Sequence, residues 1–202
     1  MTLNLAYLDI IVVTAIKTKN MKTLLNILTF ILVSLSCFAQ DRISLSNATL
    51  ELPKGAKKIT KEQALSHISK KFNNDKVAME SVSQALRFNH YLSKDVLISF
   101  NTSDIAKTGD IAVDRNHLLN MKKGLDELFK GNESYRSEIK NLADKSIVII
   151  QYSIGSSLCI RFYSFNKEFT RALTGTLVFN KDNQDEAKSA MNMIEKTLKF
   201  NN

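Results

Sequence analysis

The chain has 202 residues and carries 28 Lys and Arg against 20 Asp and Glu, a formal net charge of +8 at pH 7. With two cysteines, one proline and 44% hydrophobic residues, it is neither a disulfide-stapled miniprotein nor a low-complexity segment, and its core must rest on apolar burial. The basic pairs Lys57-Lys58, Lys70-Lys71 and Lys122-Lys123 are scattered among acids, with no interleaved aromatics. They read as a solvated surface and exclude a nucleic-acid stacking platform; the sharper alternative is attraction to an anionic lipid or polysaccharide outside the cytoplasm.

Residues 1–20 hold one apolar run, Ile10-Ile11-Val12-Val13, and precede a second methionine. Met21-Lys22 then opens a basic start, an apolar stretch from Leu24 to Val33, and a small residue before a cut after Ala39. That is the pattern of a signal peptide over 21–39. Its apolar stretch is shorter than the ~20 residues of a spanning helix, so no transmembrane span is expected in the mature form. Residues 1–20 read as a non-native upstream extension; the alternatives are a genuine N-terminal extension or an uncleaved anchor of two apolar runs. Cys37 raises lipid anchoring, but a lipoprotein signal wants leucine three residues before the cysteine, and Ser34 stands there. Soluble export to the periplasm or beyond is therefore ranked above an anchor through Cys37. Cleavage leaves Cys159 without a disulfide partner, in a single domain expected over 40–202.

Gln40 to Asn47 reads as a polar lead-in, and Ala48 to Leu52 as a strand ended by Pro53. Thr60 and Gln63 have capping-box spacing ahead of a stripe of Leu65, Ile68 and Phe72. Residues 76–90 allow helix or strand, with a strand preferred near Ala85 to His90. Asp95 to Asn101 is a firmer strand, followed by a polar loop from Thr102 to Val113. Asp114 can cap a helix with the stripe Leu118, Met121, Leu125 and Leu128, stopped at Gly131. Tyr135 to Leu142 reads as a strand, turning at Asp144-Lys145.

Three strand-like runs follow: Ser146 to Ser153, Leu158 to Phe165, and Phe169 to Phe179. Their β-branched and aromatic content and short polar connections predict an antiparallel meander. Phe169, Arg171, Leu173, Gly175, Leu177 and Phe179 share one face, and Gly175 marks a bulge or a close approach. After the Asn180 to Asn183 turn, Ala187, Ala190, Met191, Ile194 and Leu198 recur at helical spacing and should lie on the meander. Antiparallel strands with a few helices make an α+β layered domain.

Two stretches resemble PsbP-like domains, which include the DcrB-like bacterial envelope proteins. One is Leu50-Glu51-Leu52-Pro53-Lys54-Gly55 followed by a helix. The other is Phe169 and Ala172-Leu173-Thr174-Gly175-Thr176-Leu177, followed by the helix ending Ile194-Glu195-Lys196-Thr197-Leu198-Lys199-Phe200. The resemblance spans most of the chain after the signal, as a pattern of short motifs. It implies an α+β antiparallel sheet flanked by helices, in exported accessory proteins, and supplies no catalytic motif.

The residues themselves offer little chemistry. His67, His90 and His117 are too far apart in sequence for a helical zinc pair, and neither metal nor cofactor is expected. Cys159, between Leu158 and Ile160, reads as buried; as a nucleophile it would need a base such as His90. Gly155-Ser156-Ser157 lacks the second glycine of a nucleophile elbow. By alternation Arg161 and Tyr163 share a face, and pairing across Asn166-Lys167-Glu168 would bring Arg171 beside them. Such a cluster could hold an anionic ligand, although a solvated face explains it too. The expectation is an exported, non-catalytic accessory or binding protein of the bacterial envelope, its partner an envelope protein or an anionic ligand. The alternative is a secreted hydrolase whose site assembles only in three dimensions.

Overall fold

Alternating apolar strands and side-chain caps set most boundaries. The computed structural model describes residues 42–71, 89–105 and 114–201. The expected leader and the twenty residues before it lie outside the described residues, as do Phe72, Gly109 and the undecided stretch up to residue 88. The polar lead-in contains a short strand, β1 (Arg42–Ser44), paired with β2 (Ala48–Glu51). Leu45 is buried between them, and its N–H donates to the Ala48 carbonyl.

After β3 (Lys57–Ile59) comes α1 (Lys61–Lys71). Its capping box is reciprocal: Thr60 N donates to Gln63 Oε1 at 2.9 Å, and Gln63 N donates to Thr60 Oγ1 at 3.2 Å. β4 (Asn89–Ser93) takes in the last two residues of the stretch expected to be strand and runs on to Ser93, and β5 (Val96–Asp104) runs three residues into the expected loop. Pairing explains the extension, since Thr102, Ser103 and Asp104 are held against the following strand partner, Leu173 to Arg171.

Asp114 Oδ1 accepts from His117 N at 2.8 Å and starts α2 (Arg115–Leu128). Leu128, expected on the buried stripe, is 74% exposed. At 3.6 residues per turn it rotates off the Leu118–Leu125 line, and Phe129 takes its place against Tyr135 and Tyr152.

β6 (Arg136–Asn141), β7 (Lys145–Ile154), β8 (Ser157–Asn166) and β9 (Arg171–Phe179) form the meander, each antiparallel to the next. Phe169, expected within the last strand, sits in the turn with φ 54. That turn is built on Asn166, whose Oδ1 accepts from Thr170 N and Arg171 N at 2.9 and 2.8 Å. A 3-10 turn (Lys181–Asn183) leads into α3 (Gln184–Thr197), and β10 (Lys199–Phe200) closes on β2. Leu198 lies just past the helix yet remains fully buried, its N–H donating to Ile194 O at 2.8 Å.

Two sheets result: a seven-stranded sheet in the order β3-β4-β5-β9-β8-β7-β6, and a three-stranded sheet in the order β1-β2-β10. α3 packs on β2 and β9, with Ala187, Ala190, Met191 and Ile194 buried. Their partners include Leu50 of β2, Phe100 of β5, Phe162 of β8, and Leu173, Leu177 and Phe179 of β9, in one cluster. Gly175 is needed at its centre. It pairs with Phe100 on one side and Phe162 on the other. The two rings meet edge to face, 6.3 Å between centroids. A Cβ on Gly175 would strike the Phe162 ring and come 3.1 Å from Phe100 Cδ1. The close approach expected at this glycine is therefore made by its neighbours in the sheet.

Candidate functional site

The opposite face, which carries α1 and α2, is not uniformly apolar. At one end Leu97, Val178, Cys159 and Tyr152 pack with Ala64 and Ile68 of α1 and with Leu125 and Phe129. At the other, Val148, Phe165 and Ala172 pack with Leu118 of α2. Two polar rows run between them. Register aligns His90, Ser99, Thr176 and Arg161 as successive partners across β4, β5, β9 and β8. The next row aligns Asn101, Thr174 and Tyr163. Register partners share a face, so these seven side chains make one contiguous polar block.

The block is partly dry. His90, Ser99 and Thr176 are only 3%, 5% and 7% exposed, while Arg161, Tyr163, Asn101 and Thr174 are half-buried. His90 Nδ1 and Ser99 Oγ lie 3.0 Å apart. Burial, reinforced by the Lys61 charge, holds the His90 imidazole below its usual pKa; Glu62 opposes this weakly. The Arg161 guanidinium lies over the Tyr163 ring, 5.3 Å from its centroid. Arg161 Nε is buried and has no hydrogen-bond partner among the described residues. A buried donor of this kind is costly unless something accepts from it.

Nucleophilic chemistry is poorly served here. Burial pushes the Cys159 thiol up to about 12, with the Arg161 charge opposing, so it stays protonated at neutral pH. Burial raises the Tyr152 hydroxyl to about 12 as well. The three histidines stand on different elements, His67 on α1, His90 on β4 and His117 on α2. Among the described residues no three His, Cys, Asp or Glu side chains gather as a metal site requires.

Of the residues singled out in the sequence, Arg161 and Tyr163 come together and Arg171 does not join them. The β8–β9 connection spans 167–170, so Phe165 pairs with Ala172. That register leaves Arg171 on the face carrying α3, opposite Asp104. A connection longer than expected is enough to exchange the faces, because the side-chain period is two. Sequence reasoning missed Ser99, Asn101, Thr174 and Thr176. Their polar alternation within each strand was visible, but nothing local says which strand lies beside which.

No protein-family model matches the chain, and no curated protein sequence does. Among solved structures it is similar to the solution structure of cyanobacterial PsbP (CyanoP) from Synechocystis sp. PCC 6803. The identity is 12% and the TM-score 0.47, over 81% of this chain and 94% of that one. It is also similar to the crystal structure of LpqN, involved in cell envelope biogenesis of Mycobacterium tuberculosis. There the identity is 9% and the TM-score 0.43, over 81% of this chain and 91% of that one.

Proposed function

We propose that the protein is an exported, non-catalytic accessory or binding protein of the bacterial cell envelope, and that it holds an organic anion against the polar block between α1 and α2. The observation that carries this reading is Arg161: a guanidinium stacked on Tyr163, its buried Nε unmatched by any described acceptor. A carboxylate or similar group would accept from that donor in a half-dry site, where a charge-assisted bond is stronger than in water. The signal pattern over 21–39 supports export, with Gln40 as the first mature residue and lipidation of Cys37 as the competing route.

Amide chemical shifts would test the binding directly. Octanoate should shift Arg161, Tyr163, Thr174 and Thr176 saturably, octanol should not, and Arg161→Gln should remove the response while leaving the fold intact. Equal responses to both probes, or an unchanged response in the variant, would sink the reading. Intact mass of the exported form separately decides between a start at Gln40 and an anchor on Cys37.

A further inference from the structure

The face carrying α3 ends in a cleft of about 570 Å³ that the polar block does not reach. It is lined by Ala143 and Asp144 of the β6–β7 turn, by the β8–β9 turn from Asn166 to Arg171 apart from Phe169, and by Lys199, Phe200 and Asn201. Its size lies in the ordinary range for small-ligand sites. Its walls are also fixed. Asn166, 9% exposed, anchors the β8–β9 turn by accepting at Oδ1 from Thr170 N and Arg171 N, and its Nδ2 donates to Thr170 Oγ1 at 2.9 Å. Thr170 O accepts from Ile105 N at 2.8 Å, and Asn201 N donates to Asn47 O at 2.9 Å. A site held this way loses little freedom when a ligand enters.

The charges at the cleft are unbalanced. Both carboxylates are already engaged: Asp144 with the buried Lys145 Nζ at 3.2 and 3.3 Å, and Glu168 with Asn166 Nδ2 at 3.0 Å. Lys167 and Arg171, at the β8–β9 turn, and Lys199 of β10 also line the cleft. Among the described residues none of them forms an ion pair. The Thr170 hydroxyl accepts from Asn166 and can still donate.

We infer that this cleft binds a phosphate group. A guanidinium fork, two ammonium groups and a hydroxyl donor suit a group with three acceptor oxygens and up to two negative charges. Phe200 and Ala143 give the carrier of that group an apolar wall. The phosphate can arrive on a small soluble ester or on a lipid headgroup, because the cleft opens at the surface.

The test has two arms, both on the purified protein. Glycerol phosphate is titrated while the amides of Thr170, Arg171 and Lys199 are followed, and cosedimentation with phosphatidylglycerol vesicles is compared with phosphatidylcholine. Saturation in the first arm assigns a soluble ester; selective cosedimentation assigns a headgroup. In either arm Arg171→Gln and the exposed Lys199→Gln should each weaken binding by about tenfold, the loss of one charge-assisted bond. Lys181→Gln, beyond the far end of β9, and Arg161→Gln should leave it unchanged. Absence of saturation and of selectivity would overturn the inference, as would an equal loss in Lys181→Gln. Retained binding in Arg161→Gln separates this cleft from the anion block on the other face.

Discussion

The two faces of the seven-stranded sheet are built from the same strands, yet they are filled differently. Under α3 one cluster runs unbroken from Leu45 to Leu198, and the helix meets it through Ala187 and Ala190, whose small side chains allow close approach. Under α1 and α2 the apolar surface breaks into two clusters with seven polar side chains between them. Apolar burial stabilises by roughly 25 cal/mol per Å², and a buried polar group without a partner costs free energy. The comparison teaches a division of labour: the α3 face holds the fold together, and the opposite face keeps polar groups at a price in stability. Such a departure from uniform packing is where function tends to lie.

The sharpest way to break that comparison is at Phe162, which is fully buried beside Gly175. Phe162→Ala should cost about 3–5 kcal/mol, as expected for deleting a core aromatic ring. Gly175→Ala should cost about 1–3 kcal/mol by overpacking against the same ring. Combined, the two should cost less than their sum, because the vacated ring space takes the new methyl. Urea melts of the three variants measure this. Strict additivity would mean that ring and glycine do not depend on each other.

A second test compares two residues of α3. Ile194 is fully buried, whereas Lys196 is exposed. Ile194→Ala should cost about 2–4 kcal/mol, and Lys196→Ala no more than about 0.5 kcal/mol. Equal, small losses would mean that α3 does not cover the sheet, and the contrast between the faces would fail with it.

The α3 face was almost fully legible in the sequence, because its signals are local. Ala187, Ala190, Met191 and Ile194 repeat at helical spacing, the meander strands alternate, and Gly175 interrupts an apolar face. The capping pairs Thr60–Gln63 and Asp114–His117 were equally readable, since each lies within one turn. The polar block was only half legible. Alternation placed Arg161 and Tyr163 together, but Ser99 and Thr176 join them through register between strands distant in sequence. β1 and β10 were missed for a related reason: with three and two residues, they are strands only because β2 pairs with both. Arg171 was placed on the wrong face because the β8–β9 turn, shaped by Asn166 and the positive φ of Phe169, is longer than expected.

The smallest expected effect decides what the polar block is for. Thr176 is 7% exposed and stands between Ser99 and Arg161 in the sheet. Thr176→Val keeps the branched shape that suits a strand and exchanges a hydroxyl for a methyl in a nearly dry site. If the hydroxyl is kept for a ligand, the fold does not need it, and the added apolar burial should stabilise by up to about 1 kcal/mol. The shift response of Arg161 to octanoate should weaken in the same variant. If the hydroxyl instead completes a structural network, its loss leaves a buried partner unsatisfied and destabilises by about 1–3 kcal/mol. The sign of the change in a denaturant melt therefore separates the two roles. A destabilised variant with an intact octanoate response would make the polar rows part of the scaffold, and the two faces would then differ in composition but not in purpose.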